Sequence, residues 1–209
     1  MNDTYFTVTG NGTGIYTEKR SKFLAFSFHV DTEDDVKQIV SEMKKKYFDA
    51  RHVCYAYTLG YKSERTRSND DGEPSGTAGL PILRQLFSNN LTFTLVVVVR
   101  YYGGINLGTG PLAMAYKIAA AEALASSEIT EKYVETNVQI EAPYTEQDRA
   151  MRCLKETEAQ ITNREYTESS IILSARLRQS KTDALQQLIH NPNVFTQIKI
   201  KWEESGETK

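Results

Sequence analysis

One stretch limits the fold more than any other: Val96–Tyr116, VVVVRYYGGINLGTGPLAMAY. The run from Leu95 to Val99 is continuously apolar and mostly β-branched, and stiff χ1 rotamers suit a pleated strand. No polar residue alternates with the valines, so the strand is expected to be buried on both faces and central in its sheet. Gly103, Gly104, Gly108 and Gly110 follow. Glycine supplies positive φ at little cost and lets another backbone or a ligand approach. Pro111 suits the first helical position. The helix should run to about Ser126, and with only Lys117 and Glu122 charged before its end it reads as a core helix. A buried strand delivers a loop to a buried helix, and the loop is left to meet solvent.

The flanking chain alternates in the same readable way. Tyr5–Thr9, 15–20 and 22–30 are expected strands, with Gly10, Gly12 and Gly14 marking a turn. Asp31 is the expected N-cap of a helix carrying Val36, Ile39, Val40, Met43 and Tyr47. Lys44, Lys45 and Lys46 end that helix, as a solvated terminus or as phosphate contacts. Arg51–Leu59 is another strand, with His52, Cys54 and Ala56 on one face. Residues 60–79 form a long polar segment, of a kind that is usually functional or unstructured. Pro81 then opens a short helix, 82–87. Seven of the 12 glycines fall between Asp70 and Gly79 or between Gly103 and Gly110. These are two tailored loops, each ending at a helix N-terminus, where unpaired N–H groups favour anions.

After a polar boundary at 130–137 the pattern restarts: strand 138–142, helix 145–160, strands 161–167 and 170–178, helix 182–190, a break at 191–193, and strand 194–202. That β-α-β-β-α-β order is the ferredoxin-like plan. The expected architecture is therefore α+β in two domains, 1–131 and 136–204. His190, beside the helix stop, reads as structural.

Composition removes several classes of function. A net charge of −2 argues against a broad nucleic-acid footprint but leaves room for a local basic patch. Cys54 and Cys153 are too few and too far apart for a disulfide framework or a zinc site, so a reducing cytoplasm is the expected location. The polar N-terminus lacks a signal-peptide core, and no apolar run approaches the ~20 residues needed to span a bilayer.

The loops support limited chemistry. Gly108–Ala113 matches G-x-G-x-x-A by letter, but Arg100–Leu107 separate it from the strand and no ribose-binding acid follows. A P-loop needs Gly-Lys-Ser/Thr, and Gly-Pro stands there instead. Asp70, Asp71 and Glu73 could hold a hard cation, yet Asp71-Gly72 is ordinary turn chemistry. Ser75 lacks the frame of a nucleophile elbow. Arg100, Tyr101 and Tyr102 suit stacking or anion capture, with one of the two tyrosines facing the core. His52 is either a hydrogen-bonded structural residue or an acid/base group. The candidate ligand-binding set is Asp70, Asp71, Gly72, Glu73, Gly76, Thr77, Arg100, Tyr101, Gly103, Gly104, Asn106, Gly108 and Gly110, with His52 as the candidate acid/base.

DDGEPSGTAG (Asp70–Gly79) and VVVVRYYGGINLGTGPLAMAY (Val96–Tyr116), preceded by EKRSKFLA (Glu18–Ala25) and ARHVCYAY (Ala50–Tyr57), resemble the blocks of the IMPACT family in order. The resemblance covers roughly residues 1–130, and the C-terminal unit looks like the family's bacterial extension. It implies a domain like the second domain of ribosomal protein S5 followed by a ferredoxin-like domain. That pair is similar to two consecutive domains of elongation factor G, and so hints at RNA or ribosome contact by analogy of fold. Eukaryotic relatives regulate translation by competing for an activator of a stress-response kinase, using an additional N-terminal domain. Pro111 departs from the family loop, where another glycine is expected. No catalytic residue, metal or cofactor is implied. The expected function is a translation-linked regulatory or binding protein that contacts RNA, the ribosome or a translation-related protein. The alternative is an enzyme acting on a small anionic or peptide-like substrate through His52. Nothing in the sequence specifies an oligomeric state.

Overall fold

A computed structural model describes residues 3–191 and 194–202. Pro192, Asn193, residues 1–2 and residues 203–204 of the expected domain limits lie outside this set. The chain divides into two compact units. One is Tyr5–Lys132, and the other gathers chain from both sides of it.

The first unit is built on a five-stranded sheet of β2 (Gly12–Glu18), β3 (Ser21–His29), β4 (His52–Leu59), β5 (Arg65–Asn69) and β6 (Thr94–Tyr101), in the order β2-β3-β6-β4-β5. The pairings are antiparallel. The valine run is the central strand, as its composition demands. Val96 and Val98 enter a core with Phe23, Ala25, Cys54 and Ala56 beneath α2 (Gly79–Ser88) and α3 (Thr109–Ala125). Leu95, Val97 and Val99 enter a second core with Val36, Val40 and Met43 of α1 (Glu33–Lys46). A strand buried on both faces gains nothing from polar alternation. β1 (Thr4–Thr9) pairs with β7 (Glu128–Tyr133), so part of the expected polar boundary is a strand.

Several expectations are corrected. Gly12 and Gly14 lie within β2 rather than in a turn. A Cβ on Gly14 would come within 2.7 Å of the Ala119 carbonyl oxygen, so this glycine lets α3 lie close on the strand. The turn that matters is Lys19-Arg20, with φ of 43° and 65°, the positive pair that a two-residue hairpin turn requires. The cap of α1 is Thr32, not Asp31. The Thr32 hydroxyl accepts from the Asp35 amide, and the Asp35 carboxylate accepts from the Thr32 amide. The polar segment 60–79 contains β5, an exposed edge strand with no apolar residue to announce it. Pro81 and Pro111 are the third residues of their helices, still inside the turn where an N–H has no helical partner. Finally, α3 is not a core helix. Leu112, Tyr116, Ala119 and Ala123 are buried, but Met114, Lys117 and Glu122 are exposed. Its many alanines read as apolar all round although one side meets solvent.

The second unit orders its strands β11-β8-β10-β9, from β8 (Glu135–Pro143), β9 (Gln160–Tyr166), β10 (Ser170–Arg178) and β11 (Lys199–Trp202). The helices α4 (Gln147–Glu156) and α5 (Thr182–Ile189) pack Ala150, Leu154, Leu185 and Ile189 against Val138, Ile140, Leu173 and Ala175. The sequence order is the expected β-α-β-β-α-β. Strand β11 is shorter than expected and begins at Lys199; ahead of it the Glu146 carboxylate accepts from the Gln197 amide, which is thereby not available to a ladder, and from the Thr196 hydroxyl. Among the described residues no helix is long and apolar enough to cross a membrane.

Candidate functional site

Register places the chemistry. Arg100 pairs with Phe23 of β3 on one side and with His52 of β4 on the other, so all three side chains share the face toward α2 and α3. The loop between β5 and α2 arrives over this point. Its Glu73 carboxylate accepts from Arg100 Nη1 at 2.6 Å and from the Tyr116 hydroxyl at 2.8 Å, both through Oε1. Arg100 Nη2 lies 3.4 Å from Ser21 Oγ, and the guanidinium sits about 5.5 Å from the Phe23 and Tyr102 ring centres. Arg100 Nε has no hydrogen-bond partner. Glu73 and Arg100 are both buried. Arg100, offered from sequence for stacking or anion capture, is half of a buried ion pair that ties the two loops together.

The other two acidic residues take separate duties. Asp70 accepts from the amides of Gly76, Ala78 and Gly79 at 2.8–3.0 Å. It thereby fills the N-terminus of α2, so that helix end is not free for an anion. The Asp71 carboxylate accepts from the Val53 amide and from Lys44 Nζ, while its carbonyl meets His52 Nδ1 at 2.7 Å. A carbonyl only accepts, so Nδ1 carries the hydrogen. The three carboxylates thus do not converge, and among the described residues no group of His, Cys, Asp and Glu is placed to hold a metal ion. Cys54 donates toward the Asp70 carbonyl at 3.0 Å and lies 3.3 Å from the Tyr116 oxygen. Burial pushes the Cys54 thiol up, and burial together with Cys54 and Glu73 pushes the Tyr116 phenol up. Both therefore stay protonated, and Tyr116 serves Glu73 as a donor.

A cleft of about 650 Å³ opens beside this junction, lined by Arg51, His52, Glu73, Arg100, Tyr102 and Asn106 together with Leu107–Thr109 at the start of α3. Gly108 caps α3 with φ 82° and no side-chain hydrogen bond. Among the described residues none accepts from the amides of Thr109 or Gly110. Gly104, Gly108 and Gly110 have open space where a Cβ would stand. Tyr102, 46% exposed, donates to Asn106 Oδ1 at 3.0 Å.

The remaining candidates lie elsewhere. Tyr101 belongs to the α1 face and donates to Asp49. Thr77 is buried and donates to the Pro74 carbonyl. Gly72 and Gly76 take positive φ inside the loop, and Gly103 abuts the Arg20–Ser21 backbone. Ser21, Arg51, Thr109 and Tyr116 were not singled out from sequence, and their only signal was their place in the blocks Glu18–Ala25, Ala50–Tyr57 and Val96–Tyr116. Cys54 was placed on the His52 face of its strand but given no role.

The junction and its cleft fall within residues 19–124, the segment that matches the Impact N-terminal domain. The chain is 32% identical over 187 residues to the IMPACT family member YvyE of Bacillus subtilis (strain 168), covering 90% of this chain and 86% of that one. It is 34% identical over 165 residues to YigZ of Escherichia coli (strain K12), covering 78% and 80%. Protein IMPACT of Homo sapiens is 36% identical over 97 residues, which span 44% of this chain and only 30% of that protein. A crystal structure described as that of a hypothetical protein aligns over 99% of this chain and 100% of its own, with a TM-score of 0.70 and 28% identity. With the domain match spanning both loops and the bacterial relatives spanning both units, the chain belongs to the IMPACT family.

Proposed function

We propose that the protein is a cytoplasmic, translation-linked binding protein whose cleft takes a phosphate of RNA. The observation that carries this reading is the open start of α3: the Thr109 amide, without an acceptor among the described residues, borders a cleft that also holds Arg51 and His52. Helix N-termini favour anions through such amides and the macrodipole. Tyr102 offers a half-exposed ring on which a base can stack. With a net charge of −2, this reading confines cationic attraction to a local site. The translation link comes from the eukaryotic members of the family. Since the human protein is matched over less than a third of its length, its own partners are not transferred.

Fluorescence anisotropy with a labelled single-stranded RNA tests the reading. Affinity should fall steeply with salt, and Arg51→Ala should weaken binding across sequences and lower the log–log salt slope by about one. Binding that ignores salt, or that Arg51→Ala leaves unchanged, removes the phosphate seat and leaves a protein partner.

A second reading, an enzyme using His52 as acid/base, is favoured by one observation. His52 Nε2 stands 3.7 Å from Glu73 Oε2 at the same cleft.

A further inference from the structure

Neither side of the His52–Glu73 gap is satisfied. With Nδ1 donating to the Asp71 carbonyl, neutral His52 presents a lone pair at Nε2. It faces Glu73 Oε2 across 3.7 Å, too far for a direct hydrogen bond. Glu73 Oε1 is taken by Arg100 and Tyr116, while no described residue donates a hydrogen bond to Oε2. The side chain that carries this oxygen is 4% exposed. A nearly buried acceptor without a donor asks for one. Water, with two hydrogens, spans two acceptors at this separation and keeps a lone pair for the cleft.

We infer that His52 and Glu73 hold a hydrolytic water, and that the phosphate seated at α3 is an ester which this water cleaves. The inference rests on the anion reading above. His52 Nε2 takes a proton as one O–H bond of the water breaks. The water oxygen bonds to phosphorus. The bond from phosphorus to the leaving oxygen breaks, with its electron pair going to that oxygen, which takes a proton from solvent. His52 returns its own proton to solvent, so ester and water become alcohol and phosphate. Glu73 stabilises the imidazolium while it exists, and the Asp71 carbonyl fixes the ring and its tautomer. Arg100 and Tyr116 are positioning residues, since they hold Oε1 and leave Oε2 to the water. Charge on the phosphoryl oxygens is met by the Thr109 amide at the start of α3 and by Arg51, which border the same cleft.

A diester in RNA and a monoester in a small molecule share this chemistry, and two probes separate them: bis(4-nitrophenyl) phosphate and 4-nitrophenyl phosphate. The whole protein should release 4-nitrophenolate from one of them, with the rate falling about 100-fold or more in His52→Ala. Glu73→Gln should fall similarly. Where it does not fold, His52→Gln carries the result, with near-ultraviolet circular dichroism confirming the native fold. Amide NMR shifts of Thr109 and Gly110 during titration with inorganic phosphate test the seat separately. Shifted amides with no release above buffer, or with release unchanged in His52→Ala, overturn hydrolysis and leave anion binding standing. Unshifted amides overturn the anion reading and the hydrolytic inference with it.

Discussion

Arg100 holds a buried carboxylate in place. Removing it leaves Glu73 charged, buried and without its cation, a change that costs about 3–5 kcal/mol in comparable buried pairs. Arg100→Ala should therefore lower the urea midpoint strongly, whatever it does to binding. An unchanged midpoint would mean that Glu73 finds solvent. The glycines beside it divide by cause. A Cβ at Gly103 would collide with the Arg20 carbonyl carbon and the Ser21 amide nitrogen, which are backbone atoms that cannot swing aside. Gly104 has open space and pays only for φ 83°, about 1–2 kcal/mol for a left-handed L-residue. Gly103→Ala should thus be the more destabilising of the two in a denaturant melt, and the reverse order would refute the close approach. At this scale the sequence disclosed residue types and hid partners. Asp70, Asp71 and Glu73 stand almost side by side, yet one serves the α2 amides, one serves β4 and Lys44, and one serves Arg100. Tyr116 was invisible because a tyrosine in an alanine-rich helix looks like packing. Its hydroxyl acquires meaning only when the fold brings Glu73 over it.

Secondary structure was legible where hydrophobic pattern dictates it and obscure where hydrogen bonding alone does. Strand β6 announced itself because burial on both faces excludes polar residues. Strand β5, Arg-Thr-Arg-Ser-Asn, is held at an edge by its ladder with β4, and no side-chain periodicity records that. The start of α1 shows the same ambiguity on a finer scale: Asp31 and Thr32 are both good caps, and the reciprocal bonds between Thr32 and Asp35 decide in favour of threonine. Hydrogen bonds from the Thr32 side chain and from the Thr32 and Asp31 amides hold the Asp35 carboxyl below its ordinary range. Thr32→Ala removes half of the capping box and should cost about 1 kcal/mol, measured as a lower urea midpoint. Asp31→Ala should cost much less, and equal losses would restore Asp31 as the cap.

The two units draw on different parts of the chain in a way that domain limits of 1–131 and 136–204 did not anticipate. Asp3 belongs with the C-terminal unit. Its carboxylate accepts from Arg178 Nη2 at 2.8 Å and from the Ser180 amide at 3.1 Å, and its carbonyl accepts from the Val134 amide. Such a tie joins residues 175 positions apart, so nothing local in the sequence could reveal it. The Arg178 and Ser180 hydrogen bonds hold the Asp3 carboxyl well below its ordinary value of 3.8. A carboxyl depressed in the folded state adds stability that is complete above its unfolded pKa and is lost as the pH falls through the folded one. The only tryptophan, Trp202, packs against the core of this unit, and its fluorescence therefore reports the unit that Asp3 secures. Asp3→Asn should lower the fluorescence-detected melting temperature by an amount that is constant above about pH 5 and shrinks below about pH 4. Arg100→Ala, which acts in the other unit, should leave that fluorescence transition in place while lowering the far-ultraviolet dichroism transition. A pH-independent loss in Asp3→Asn would assign the effect to packing rather than to charge. A fluorescence transition that moves with Arg100→Ala would show that the two units unfold as one.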